Sequence, residues 1–474
     1  MITSNEQSSY VFKIKILFIT YALIIVILIV LPLPLQGAIF SVSTVSELET
    51  TLAMTESNGE DDTINVAPGT YYLTDMLSYD SHEDKNISLQ GIEGEVIIDG
   101  GYSNKRILFM RTYTGNGSIS IYGIVFTNGY APEGDNGAGI FVNVASSDLT
   151  IENCQITNCF AGAFYFTNHG GGAYITAGSD ASVVIRNCVI AGNTAKGQGG
   201  GMYLSLINGT LYFVNNTVVG NHNNTSIVEG GGGIYLRLYF DAVIAHIYNN
   251  ILWGNTYSYG NGDFYIENNG DNTGDTAAVF MYNNDYGQLD WNLSSNLTLS
   301  NNISEDPLLS SDYHLSIDSP CLDSGNAMAP NLPGQDFEGD PRSKDGNCDA
   351  ISTPDIGADE HYRPPAVSTS AVNDITTTSA TGGGNVADEG GHSVTARGVC
   401  WSTQDEPTII DSCTADGTGA GAFSSSLIGL SANTVYYQRA YATNCEGTGY
   451  GDVLTFSTEK IFSIEAINLI LLSD

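Results

Sequence analysis

Apolar and polar positions alternate in short runs along most of this chain, and two of those runs return at a nearly constant step. The first follows glycine: Gly139-Ile140-Phe141-Val142, Gly172-Ala173-Tyr174-Ile175, Gly201-Met202-Tyr203-Leu204 and Gly233-Ile234-Tyr235-Leu236, then Phe264-Tyr265-Ile266 behind Asp263. Its central aromatic residues lie 33, 29, 32 and 30 positions apart. The second run ends in asparagine, at Asn153, Asn187, Asn215, Asn249 and Asn283, with steps of 34, 28, 34 and 34. Period-two alternation marks strands, and no 3.6-residue period separates them. Two markers advancing together describe a chain that completes one circuit per repeat, stacking its strands in parallel at ~4.8 Å per coil.

Alternation also assigns faces. Ile140 and Val142, Ala173 and Ile175, Met202 and Leu204, Ile234 and Leu236, and Phe264 and Ile266 point inward. So do Leu149/Ile151, Val183/Ile185, Leu211/Phe213, Ala245/Ile247 and Val279/Met281. The outward column Phe141, Tyr174, Tyr203, Tyr235 and Tyr265 is either a self-stacking ladder or a carbohydrate-binding platform for sugar rings. The five recurrent asparagines sit at corners. There they tolerate the left-handed conformation and can bond their counterparts in the coils above and below.

With its flanking segments, the repeat resembles the pectin-lyase-like right-handed parallel β-helix superfamily. Asp62-Thr63-Ile64-Asn65-Val66-Ala67-Pro68-Gly69 resembles the first coil of those proteins. Ser319-Pro320-Cys321, Asp340-Pro341-Arg342 and Asp355-Ile356-Gly357-Ala358-Asp359-Glu360 resemble their closing motif. The resemblance covers residues 39–362 and implies right-handedness, which periodicity alone does not fix. After Pro364-Pro365 the thirty-residue step ends. Residues 366–458, through Gly398-Val399-Cys400-Trp401 and the run Leu430 to Asn444, resemble a bacterial fibronectin type III domain, with Tyr436 as its corner tyrosine. The expected class is all-β: a β-helix, a small β-sandwich and a tail over 459–474.

Composition narrows the partners. Lys and Arg total 15 against 52 acids, a formal charge of −37, which disfavours nucleic acid and anionic membrane surfaces. Lys13 and Lys15 precede the apolar run Ile16 to Leu31, so 1–38 reads as a signal peptide or an uncleaved anchor, the only expected membrane contact. Either places the remainder outside the cytoplasm, secreted or at the cell surface. A monomer is expected, with an extracellular polysaccharide or cell-surface glycan as partner. The eight cysteines suit an oxidising compartment, lack CxxC spacing, and suggest a Cys321–Cys348 staple in the closing segment. Cys154 and Cys188, one coil apart, could pair or remain stacked thiols.

Catalytic signatures are sparse. Lyases on this fold need calcium-holding acids and a basic proton acceptor; polygalacturonase-like enzymes need paired aspartates with Gly-His-Gly and Arg-Ile-Lys. Neither set occurs, and Asn168-His169-Gly170 reads first as a polar corner. Asp345, Asp349, Asp355 and Asp359 have the oxygen chemistry that calcium prefers, without EF-hand spacing, and read more readily as a cap. The expectation is a non-catalytic adhesin or polysaccharide-binding scaffold, with a polysaccharide lyase or glycoside hydrolase as the alternative.

Overall fold

The repeat step is the circumference of one coil: Phe141 pairs beside Tyr174, then Tyr203, Tyr235 and Tyr265, in unbroken parallel register. A computed structural model describes residues 37–461 apart from 103–104, 114, 116, 133, 163–167, 225–229, 240–241, 269–276 and 293–295. The leader expected over 1–38 and the tail over 459–474 lie, except for their inner ends, outside the described residues.

Four sheets wall the solenoid. A long sheet of ten strands runs from Ala38–Val42 to Leu297–Ser300, and an aromatic sheet of eight from Leu77–Ser81 to Leu289–Asn292. A short sheet of eight includes Val125–Thr127, Gln155–Thr157 and Val189–Ala191. Two-residue strands such as Tyr130–Ala131 and Phe160–Ala161 make the fourth. Every inward column expected from alternation is buried, Ile140, Val142, Ile151, Ile185, Leu236 and Ile247 completely. Burying such side chains contributes roughly 1.5–3 kcal/mol each, so the stack is held chiefly by its bore.

The first coil is closed by the one helix among the described residues, Val45–Thr55, with Leu48 and Leu52 buried beneath it. Thr44 and Glu47 form its capping box, the Ser/Thr-x-x-Glu signature of a helix start. At the other end the chain doubles back after Ser300 as an irregular strap. Asn283 Nδ2 donates to Ser324 O at 2.9 Å, and Asn326 N donates to Asn249 Oδ1 at 2.7 Å. Asn215 Nδ2 donates to Asp355 O and Gly357 O at 3.0 Å, and Arg342 Nη2 to Asn187 Oδ1 at 2.7 Å. The strap therefore climbs the corner column coil by coil.

All five corner asparagines are left-handed, with φ between 52° and 57°. Their mutual bonding is only partial: Asn187 to Asn153 at 3.0 Å and Asn249 to Asn215 at 3.2 Å. The continuous ladder lies one residue later. Asn216, Asn250, Asn284 and Asn302 point into the bore and bond in series at 2.9–3.0 Å. A second interior series joins Asn193, Asn221, Asn255 and Asp263. Asn187, Asn215, Asn249 and Asn283 mainly hold the strap.

Beyond Pro365 two antiparallel sheets form a sandwich, one containing Ala366–Thr369, Ser379–Asp388 and Gly421–Ile428. Tyr436 is 9 % exposed and its hydroxyl accepts from Ser431 N at 3.0 Å, the corner bond expected of it. The disulfides correct the sequence expectation. Cys348 bonds Cys445 and Cys400 bonds Cys413, whereas Cys321 is a free thiol, fully buried, donating to Asp285 Oδ2 at 3.4 Å. Cys321 faces the last coils while Cys348 rides on the strap's outer loop, so they face different partners. Cys154 and Cys188 are also free and buried.

Candidate functional site

Side chains with chemistry gather on the outer face of the aromatic sheet. Phe109, Phe141, Tyr174, Tyr203, Tyr235 and Tyr265 stack in series with ring centroids 4.9–5.4 Å apart and planes within 15°. The column expected from sequence is therefore present. Stacking in register occupies both faces of each interior ring, and Tyr203, Tyr235 and Tyr265 are 5 %, 1 % and 9 % exposed. A sugar stacks on a ring face, and none is left here. For those three residues the carbohydrate platform gives way to a ladder that stabilises itself.

Arg237, Glu267 and His169 lie against that ladder. Tyr235 Oη donates to Glu267 Oε2 at 2.7 Å, Arg237 Nε pairs with the same oxygen at 3.1 Å, and His169 lies 5.0 Å from the Tyr203 ring. Burial and the Glu267 carboxylate push the Tyr235 phenol far up, and burial pushes Tyr174 up to about 12. Burial and Arg237 bring His169 down to about 4, and its Nδ1 accepts from Gln198 N at 2.9 Å. A general acid or base works best with a pKa near the operating pH. These groups have moved away from it. His169 is thus a neutral corner histidine before the glycine run, as its sequence context suggests.

The basic residues of the coils are mostly committed as well. Lys105, Arg106, Arg111, Arg186 and Arg237 pair with Asp75, Asp135, Asp80, Glu152 and Glu267 at 2.6–3.1 Å.

The four acids proposed for calcium do not converge. Asp355 is buried and accepts from Asp323 N and His361 N at 2.7 Å. Asp359 accepts from His314 Nδ1 at 2.9 Å and Leu315 N at 2.7 Å. Asp345 accepts from Asp349 N at 3.0 Å and Ala350 N at 2.9 Å, and Asp349 Oδ1 from Ile351 N at 2.8 Å. Backbone donors occupy these carboxylates because the strap lacks sheet partners. They cap the strap. Arg342, buried with Glu360, donates to Ala358 O at 2.6 Å and Asp359 O at 2.9 Å. The closing motif is thus a lock.

Exposed aromatic residues occur elsewhere, and the repeat pattern did not flag them. Tyr102, 54 % exposed, leaves a turn at Gly100-Gly101 and reaches across two coils to donate from its hydroxyl to Asn158 O at 3.0 Å. With Tyr130 and Phe160, stacked at 5.6 Å, it lines a cavity of about 430 Å³. Tyr130 Oη donates to Gly162 O at 3.0 Å, which fixes that ring too. The available signal was the Tyr130/Phe160 pair one coil apart. Tyr102 belongs to no repeat and could not be placed from period.

Comparison with known proteins agrees with this architecture. Residues 92–242 match the family model "Right handed beta helix region". Together with the observed solenoid, this makes the chain a right-handed β-helix repeat protein carrying a C-terminal antiparallel domain consistent with a fibronectin type III-like fold. No curated protein matches the chain. Solved structures similar to part of it include a "Myokine structure" at 17 % identity, covering 20 % of this chain and 99 % of that one, TM-score 0.17. Another is the sensor domain of the anti-sigma factor RsgI4 in Pseudobacteroides cellulosolvens, at 17 % identity, 21 % and 97 % coverage and TM-score 0.17. A third is the sixth fibronectin type III domain of human fibronectin type III domain containing protein 3, at 23 % identity, 22 % and 87 % coverage and TM-score 0.15.

Proposed function

We propose that this is an exported, non-catalytic β-helix scaffold that binds polysaccharide, acting as an adhesin or a glycan-holding surface protein. The supporting observation is the cavity lined by the exposed Tyr102 and the half-buried Tyr130 and Phe160, while the polar groups of the aromatic sheet are buried and mutually paired. Aromatic surfaces with fixed hydroxyls suit amphipathic sugar rings. The acidic balance suits an extracellular surface and disfavours nucleic acid. Fold alone does not decide between binding and catalysis. The deciding experiment incubates the purified protein with neutral and anionic polysaccharides, with and without calcium. Retention on a polymer without cleavage is expected. Release of unsaturated or reducing ends would sink the non-catalytic reading.

A further inference from the structure

The Tyr102 cavity has a counterpart at the other end of the same strands. In the upstream coils the short sheet consists of Val96–Asp99, Val125–Thr127 and Gln155–Thr157. The Tyr102 cavity lies at the trailing corners of these strands. At their leading corners lies a second cavity of about 460 Å³, bordered by Glu93, Tyr122, Asn153, Gln155 and the strap segment Phe337–Gly339. Both volumes fall within the range of ordinary ligand sites. Gln155 lines the leading cavity and Asn158 the trailing one, three positions apart or about 10 Å at the usual rise, further than one sugar ring spans. Between them Thr127 points outward, half-buried, beside the buried Thr157.

This strip is open only where the strap stops. Further along the same sheet Val189 and Ala191 are sealed by Ala358, with Tyr313 and Phe337 packed alongside. We infer that the open strip and its two cavities form one elongated cleft for an uncharged polysaccharide lying along the strands. The inference rests on the proposed function and adds the class of glycan and the place where it lies.

The lining selects against negative charge. Three carboxylates, Glu93, Glu95 and Glu338, line the leading cavity, and neither cavity is lined by Lys or Arg among the described residues. A polyuronate would bring further negative charge to a chain already at −37. Carboxylates accept strongly from hydroxyls, and a neutral glycan supplies many. Aromatic side chains border both ends, Tyr122 and Phe337 at one and Tyr102, Tyr130 and Phe160 at the other. Bonds to backbone carbonyls hold Tyr102 and Tyr130 in place, so little side-chain freedom remains to be lost on binding.

The test measures binding of the full exported chain to glucomannan, mixed-linkage β-glucan and polygalacturonate, then to tri- and hexasaccharides of whichever polymer binds. A neutral polymer should bind, and its hexasaccharide about tenfold more tightly than its trisaccharide, because only the longer chain spans both cavities. Tyr130→Ala and Gln155→Ala, at opposite ends, should each remove most of that difference with thermal unfolding unchanged. Preference for polygalacturonate, a basic peptide retained in place of any glycan, or no effect of one of the two variants would overturn the single neutral cleft. Binding to no polysaccharide at all would instead overturn the proposed function.

Discussion

The interior asparagine series allows a stability prediction from counted bonds. Asn250 is fully buried. Its Nδ2 donates to Phe213 O at 2.8 Å, Tyr248 O at 2.9 Å and Asn284 Oδ1 at 2.9 Å. Its Oδ1 accepts from Asn216 N at 2.9 Å and Asn216 Nδ2 at 3.0 Å. In Asn250→Ala, Asn216 Nδ2 keeps Ile185 O and Asn284 Oδ1 keeps Asn250 N, both at 2.9–3.0 Å. The Asn216 N–H loses its acceptor in a dry bore, whereas the Phe213 carbonyl keeps its ladder bond to the neighbouring strand. One stranded buried donor and the lost side-chain bonds cost on the order of 2–3 kcal/mol. Asn302→Ala, at the half-exposed end of the series, lets water replace the lost bonds and should cost about 1 kcal/mol. Urea unfolding followed by circular dichroism compares the two. Hydrogen exchange should show protection lost first in the coils around Phe213 and Ile247, because a solenoid is coupled neighbour to neighbour. Equal costs for the two variants would refute the ladder as a buried stabiliser.

Peptide mapping without reduction should recover Cys348–Cys445 and Cys400–Cys413, with Cys154, Cys159, Cys188 and Cys321 as free thiols; a Cys321–Cys348 peptide would contradict the structure. Burial raises the Asp285 carboxyl to about 6 from an ordinary 3.8, so the folded state holds its proton more tightly. Its stabilising contribution is complete below about 3.8 and fades as pH rises through 6, so Asp285→Asn should flatten that part of a stability–pH curve and raise the unfolding midpoint at pH 7. The Asp359 carboxylate raises His314 to about 9 from 6.5. That contribution is complete below 6.5 and disappears as pH passes 9; His314→Gln should abolish the alkaline decline in melting temperature, and an unchanged decline would assign it elsewhere. Gly357, at φ 110°, lies where an added Cβ would meet Ile251 Cδ1 at 2.6 Å, so Gly357→Val should loosen the strap and raise exchange at the amides of positions 357 and 358, which donate to Asn249 O and Thr217 Oγ1.

Much of the fold was legible because a solenoid repeats its physics. Period-two alternation and a constant step fix strand, face and register together, so the inward columns followed from Ile140, Ile175 and Leu204 without any distant contact. The left-handed corners were legible for the same reason. Two kinds of feature were not. The partners of the strap are set by contacts across 41 to 155 positions, from Asn283–Ser324 to Asn187–Arg342, and no local pattern encodes them. Exposure is the other. Alternation placed Tyr203 and Tyr235 outside the bore, yet could not tell an outward residue in solvent from one shut beneath its neighbours. The first helix belongs to no repeat, and only the local capping box of Thr44-Val45-Ser46-Glu47 marks it.

The position of the open cleft follows from one change in the corner column. From Asn283 back to Asn187 each corner offers a side-chain amide, and the strap takes bonds from every one. Asn153 is the first whose amide turns elsewhere, donating to Tyr122 Oη at 2.8 Å. The equivalent corners upstream are Gly123 and Gly91, which have no side chain to give. A strap continuing past Asn187 would find no donors. It turns away at Phe337–Gly339, and the room it leaves is the leading cavity. Installing Asn at position 123 tests this directly, since φ there is 66°, a conformation asparagine accepts. The substitution should partly fill the cavity and weaken hexasaccharide binding with the melting temperature unchanged. Undiminished binding would mean that the glycan lies elsewhere and that the glycine corners serve only the turn.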